Sequence, residues 1–201
     1  MKIIVFDTET TGFPSSSLPL EEQPYICQFA GIVYEYDYST GVLNEIHRED
    51  QLIKPLIEIP HDSSMIHGIT SDHVENAPTF KEYAPRLLEI FGRCDMAVAH
   101  NLSFDKEVIA NELLRAGMQK DFLPEETFDT MLSTKEMCRL PGRLGGYKAP
   151  KLAELHVFLF NENFENAHNA LADVVATGNC LQELIKRGVL EISEPAQDSL
   201  F

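Results

Sequence analysis

Three short runs carry side chains that could do chemistry. The first is Phe6-Asp7-Thr8-Glu9-Thr10-Thr11-Gly12, which closes an apolar stretch of Ile and Val. Side chains two apart on a strand share a face, so Asp7 and Glu9 point the same way. The carboxyl end of a strand is where open α/β sheets place their ligands. Two like charges side by side are costly unless a cation sits between them. A hard divalent cation with oxygen ligands answers that need. The second run is Asn101-Leu102-Ser103-Phe104-Asp105, after one apolar stretch and at the start of a helical pattern. An acid in a first helical turn is held as the anion by about 0.3–1 kcal/mol, which suits a metal ligand. The third is His168-Asn169-Ala170-Leu171-Ala172-Asp173. Asp173 lies off the apolar stripe formed by Leu171, Val174, Val175, Gly178 and Leu181, so it can face a cleft. His168 precedes the helix, and the ordinary pKa of an imidazole, near neutrality, suits proton transfer from water. Taken singly, Asp105 reads equally as a good first-turn residue, and His168 and Asp173 as a solvated surface pair.

These runs must be positioned by their elements. Residues 2–8 read as a central strand, apolar on both faces. Residues 12–23 hold Gly, two Pro and three Ser and read as a loop. Residues 25–36 and 42–53 read as a hairpin around Ser39-Thr40-Gly41. Residues 55–78 show no clear period. Thr79 with Glu82 forms a capping-box pattern opening a helix, which Pro85 should kink. Residues 96–100 read as a strand, and 104–116 as a helix capped by Gly117. Residues 127–138, 151–160 and 170–187 read as helices, with a loop over 140–150. Strands first, then strands alternating with helices, predict an α/β sheet covered by helices. The expected organisation is one domain over residues 1–190 and a polar, flexible tail over 191–201.

In order and in the right elements, Asp-x-Glu, Asn-x-x-Phe-Asp and His-x-Ala-x-x-Asp resemble the DEDDh branch of the DEDD exonuclease superfamily. The resemblance covers about residues 2–187, and Ile66-His67-Gly68-Ile69-Thr70 matches a segment common in its epsilon-like members. It implies a ribonuclease H-like fold: a mixed central sheet with a three-strand antiparallel start, then parallel strands, flanked by helices. It also implies 3′-to-5′ removal of nucleoside monophosphates. Carried over, Asp7, Glu9, Asp105 and Asp173 would hold two Mg²⁺ or Mn²⁺ ions, and His168 would take the proton of the attacking water. Two such ions about 3.5–4 Å apart clamp an in-line phosphoryl displacement. Thr10 and Thr11 would approach the terminal sugar, and His67, Asn101 and Phe104 would line the nucleotide pocket. None of the five core positions departs from the pattern. The loop over 12–23 looks longer than in a minimal member, and a plain surface crossing is its expected role.

The chain has 201 residues and a formal net charge of −16, which excludes gripping nucleic acid or anionic membrane by bulk charge. No apolar run approaches the roughly 20 residues of a membrane span. The N-terminus does not read as a secretory signal. The four cysteines (Cys27, Cys94, Cys138 and Cys180) are far apart and read as reduced core thiols of a cytoplasmic protein, without zinc-ligand spacing. Residues 135–151 gather Lys135, Arg139, Arg143, Lys148 and Lys151 against Glu136 alone. That segment, with Arg139, Arg143 and Lys148 as phosphate contacts, reads equally as a substrate arm or as an ordinary solvated loop. The chain ends Gln197-Asp198-Ser199-Leu200-Phe201. This resembles the peptide by which bacterial polymerases and repair proteins dock on the sliding clamp. Tethering of that kind raises effective concentration at DNA without a basic surface. The alternative is Leu200 and Phe201 folding back on the domain. The expected substrate is a single-stranded or frayed DNA 3′ end. The same chemistry on RNA ends, or a clamp-associated scaffold without activity, are the competing readings. Proofreading would need a partner polymerase.

Overall fold

The computed structural model describes residues 1–165 and 169–194. Ile3, Ile4, Val5 and Phe6 are all buried, and the strand they begin, β1 (Lys2–Thr10), forms the middle of the sheet. β1 pairs antiparallel with β2 (Ile26–Asp37), and β2 with β3 (Val42–Leu52). After α1 (His61–His67) and α2 (Phe80–Phe91) comes β4 (Met96–Ala99), parallel to β1. After α3 (Leu102–Arg115) comes β5 (Glu126–Asp129), parallel to β4. The order is β3-β2-β1-β4-β5, the mixed sheet expected. Two one-turn helices, α4 (Thr130–Ser133) and α5 (Lys135–Cys138), precede α6 (Leu152–Phe160) and α7 (Ala170–Lys186).

Because β1 alternates between two apolar faces, it has helices on both. Ile4, Phe6 and Phe29 pack with Leu87, Phe91, Ile109 and Leu113 of α2 and α3. Ile3, Val5, Ala30 and Ile32 pack with Val174 and Leu181 of α7. Each such buried Val, Ile, Leu or Phe side chain contributes about 1.5–3 kcal/mol. Leu190 and Ile192 join the second cluster. Gly178 lets α7 come close, for a Cβ there would run into the Tyr34 ring, 3.1 Å from Cζ. The four cysteines are buried and free. Among the described residues no helix is long and apolar enough to cross a membrane.

Local signals act as read at several ends. The Glu82 carboxylate accepts from the Thr79 N–H (2.8 Å) and hydroxyl (2.7 Å) at the start of α2. Gly117 has φ +76°, and the N–H groups of Gly117 and Met118 close the last turn of α3 onto Leu114 and Leu113. Two expectations need correction. Residues 127–138 are not one helix: Thr127, Phe128 and Asp129 belong to an edge strand, and two short helices follow. A parallel partner 30 residues earlier makes that strand, which no local period reveals. Residues 55–78 do contain a helix, α1, too short to show a stripe. α2 is continuous through Pro85.

Candidate active site

The carboxyl end of β1 sends Asp7 and Glu9 to the α7 face and Thr8 to the other. Asp173 comes from the first turn of α7, whose start is fixed by Asn169: its side-chain oxygen accepts from the Ala172 N–H at 3.2 Å. One ligand oxygen from each of Asp7, Glu9 and Asp173 lies within 4.8 Å of the others. Asp105 sits outside that trio but beside it. It is 2% exposed, and one carboxylate oxygen accepts from both the Thr8 N–H (2.9 Å) and the Thr8 hydroxyl (2.7 Å). Thus alternate residues of one strand supply two acids and the clamp for a third.

Crowding shows in the protonation of these groups. Burial, then the charges of Asp105, Glu9 and Asp173, pushes the Asp7 carboxyl well above its ordinary value. Burial, then Asp173 and Asp105, pushes Glu9 up to about 8. Burial pushes Asp105 up to about 7 against the lowering effect of the Thr8 bonds. Four acids so placed need positive charge to ionise together. An all-carboxylate donor set suits Mg²⁺ or Mn²⁺ rather than a softer ion.

The backbone end of α3 depends on a residue that the sequence reading missed. The Asp129 carboxylate, at the end of β5, accepts from the N–H groups of Asn101 (3.2 Å) and Leu102 (3.1 Å). It also accepts from Met131 (2.9 Å) and Leu132 (3.2 Å), capping α4. Asn101 takes up a left-handed conformation, φ 77°, to turn from β4 into α3. Asp followed by Thr-Met-Leu is itself an N-cap signal and could have marked Asp129.

The predicted substrate residues border the same end of the sheet. The Thr10 hydroxyl donates to the Gly12 carbonyl (2.7 Å), and the Thr11 hydroxyl accepts from the Tyr25 N–H (2.9 Å). Both hydroxyls therefore shape the turn. His67 ends α1 and is buried; its Nδ1 accepts from the Ile69 N–H at 3.1 Å, which leaves the proton on Nε2, 3.7 Å from Cys27 Sγ. Burial holds this imidazole below its ordinary pKa. Phe104 meets Phe13 edge to face, ring centroids 5.9 Å apart, and Phe13 is 77% exposed. The loop after β1 therefore brings an exposed ring against Phe104. The single aromatic residue of the loop was the available signal. Arg115 holds the loop down on α3. Its guanidinium donates to the carbonyls of Leu20 (2.8 Å), Pro24 (3.0 Å) and Gln23, and stacks over Tyr25 at 3.9 Å.

Within the basic segment, Lys148 is engaged with Glu154 at 2.5 Å, while Arg139 and Arg143 are exposed. Arg143 and the fully exposed Leu144 stand at the tip of a turn closed by the Pro141–Tyr147 bridge. His100 ties the segment to the site. Its Nε2–H donates to the Pro150 carbonyl at 3.0 Å, and its Nδ1 lies 3.0 Å from the Thr130 hydroxyl. His168, Gln197, Leu200 and Phe201 lie outside the described residues.

Comparison with known proteins agrees with this geometry. The RNase_T exonuclease family model matches residues 4–181. An uncharacterized exonuclease of Escherichia phage 186, CP81, is 30% identical over 92% of this chain and 89% of its own length. A DNA polymerase III subunit epsilon-like protein of Rhodobacter capsulatus is 31% identical, and the 3′-5′ exonuclease DinG of Bacillus subtilis 32% identical. This chain spans only 24% and 18% of those two. E. coli Exonuclease I in complex with a dT13 oligonucleotide superposes with a TM-score of 0.70, at 21% identity, over 92% of this chain and 41% of that one. The match runs through β1, α3 and α7, which carry the four acids, and the chain belongs to the DEDDh-type 3′-5′ exonuclease family of ribonuclease H-like fold.

Proposed function

We propose that this exonuclease releases nucleoside monophosphates from the 3′ ends of single-stranded or frayed DNA. The convergence of Asp7, Glu9 and Asp173 within 4.8 Å carries the reading, with burial and the neighbouring acids raising the pKa of Asp7 and Glu9. Those three acids, with Asp105 held by Thr8, would bind two Mg²⁺ or Mn²⁺ ions. When bound, the ions acidify the attacking water and neutralise charge developing on the leaving oxygen. His168 accepts the water proton. Phe13 and Phe104 offer their rings to the terminal base, and base–aromatic stacking is worth about 1–3 kcal/mol per base. His67 and Asn101 border the terminal nucleotide, and the backbone at Thr10 and Thr11 meets its sugar. Arg139 and Arg143 contact upstream phosphates, with Lys148 joining only by leaving Glu154. DNA is the favoured substrate because the relatives include an epsilon-like polymerase subunit and the fold neighbour was crystallised with dT13. Of residues 191–201, expected as a flexible tail, Ile192 packs on the domain, and Gln197, Leu200 and Phe201 dock on a sliding clamp, beside a partner polymerase in the cytoplasm.

The test is a timed digestion of 3′- and 5′-labelled single-stranded DNA and matching RNA, with Mg²⁺, Mn²⁺ or EDTA, beside Asp7→Ala. Stepwise loss from the 3′ end that requires both metal and Asp7 is expected, faster on DNA. Faster loss on RNA would move the substrate to RNA. No release with any metal would return the scaffold reading. A clamp pull-down that survives deletion of residues 197–201 would remove the clamp from the account.

A further inference from the structure

β1, β2 and β3 align two rows of residues on the face beneath α7. In one, Asp7 stands opposite Ala30, and Ala30 opposite Asp50. In the next, Glu9 stands opposite Gln28, and Gln28 opposite Leu52. Residues directly opposed in an antiparallel pair share a face, with Cβ atoms about 4.5–5.5 Å apart. Gln28 is therefore the side chain next to Glu9 on the β2 side.

Gln28 is only 4% exposed, and its two amide atoms are treated differently. Nε2 donates to Asp50 Oδ1 at 2.7 Å. Oε1 is buried and has no hydrogen-bond partner. A carboxylate only accepts, so Asp50 settles which amide atom is nitrogen. The two atoms diverge from Cδ, so a nitrogen bonded to Asp50 on β3 leaves the oxygen turned away from Asp50. Buried polar atoms without partners are few in folded proteins, and each one asks what satisfies it.

We propose that Gln28 is a positioning residue of the cation site: Asp50 holds its amide so that the carbonyl oxygen faces Glu9 and accepts a hydrogen bond from the hydration water of a divalent cation. The inverted amide would present its NH₂ to Glu9 and compete with the cation for the carboxylate. Ala30, small and between Asp7 and Asp50, leaves the lane open for the Gln28–Asp50 contact. Hydrogen-bond partners just beyond the ligands of a metal change its affinity by about 10–100-fold. The inference rests on the reading of Asp7, Glu9 and Asp173 as a cation site.

Mn²⁺ binding to the full chain, followed by the electron paramagnetic resonance of free Mn²⁺, tests it without reference to turnover. Gln28→Leu should bind Mn²⁺ about tenfold or more weakly. Asp50 is exposed, so its variants do not endanger the fold. Asp50→Asn and Asp50→Ala remove the same charge, but only Asn still offers an oxygen to Nε2. Asp50→Ala should therefore bind Mn²⁺ more weakly than Asp50→Asn. Equal affinity of those two, or wild-type affinity in a folded Gln28→Leu, would overturn the inference and leave the cation site standing. Mn²⁺ binding no tighter in the wild type than in Asp7→Asn would overturn the cation site and the inference with it.

Discussion

Thr8 grips Asp105 twice. Its backbone N–H and its hydroxyl both donate to the same carboxylate oxygen, across a separation of 97 residues. The grip fixes an acid of α3 against β1 before any ligand arrives. Thr8→Val keeps the shape and removes the hydroxyl donor. It should destabilise the protein by about 1–3 kcal/mol, since a buried charged acceptor loses a partner. It should also lower kcat while KM changes little. Urea unfolding and steady-state kinetics check the two effects.

The crowded carboxyls make stability depend on pH in a defined direction. Glu9 is raised to about 8 and Asp105 to about 7, so between roughly pH 4 and 8 the folded chain binds more protons than the unfolded one. Below their unfolded values these groups cost nothing, and the cost builds up as pH rises toward and through the folded values. In EDTA the melting temperature should therefore fall on going from pH 5 to pH 8. Mn²⁺ should restore it, and more so at pH 8 than at pH 6. Thermal melts over that range, with and without Mn²⁺, test the linkage.

Asp129 caps α4 and also receives the first N–H groups of α3. Asp129→Ala should cost about 2 kcal/mol, the upper end for an N-cap. Activity should fall further than that loss of stability explains, because α3 carries Asp105. Asp129→Asn keeps one acceptor oxygen and should lie between the two. Activity measured well below each variant's melting temperature separates the effects.

Phe13 is mostly exposed and contributes little to the fold. Phe13→Ala should leave the melting temperature nearly unchanged. It should raise KM for an oligonucleotide roughly tenfold, in line with the loss of one stacked base. Equal KM values for the two proteins would remove Phe13 from the substrate path.

Arg139 and Arg143 stand free of acidic partners among the described ion pairs. If both meet phosphates of a single strand, Arg139→Ala with Arg143→Ala should reduce the slope of log affinity against log salt by about 1.4. An unchanged slope in a binding titration would make the segment an ordinary solvated loop.

What the sequence discloses depends on how far the deciding partner lies. Asp7 and Glu9 were legible because alternation along one strand sets their shared face. Thr79 with Glu82 was legible because a cap is decided within four residues, and Gly117 for the same reason. β5 was not, since only its pairing with β4 makes residues 126–129 a strand. Asp129 was hidden with it, because its value lies in reaching the start of α3. Gln28 reads as an ordinary polar residue within β2 until the register sets it opposite Glu9. Phe13 was overlooked because the course of its loop is decided by Arg115, far along the chain.

That loop has a consequence for how such an enzyme diversifies. Arg115 holds it through the carbonyl oxygens of Leu20, Gln23 and Pro24, groups that every amino acid carries. Apart from the Tyr25 ring under the guanidinium, the clasp reads the path of the chain and not the side chains it displays. Residues such as Phe13 can therefore be exchanged under selection while the path persists, so the face offered to nucleotides can drift without disturbing the acids behind it.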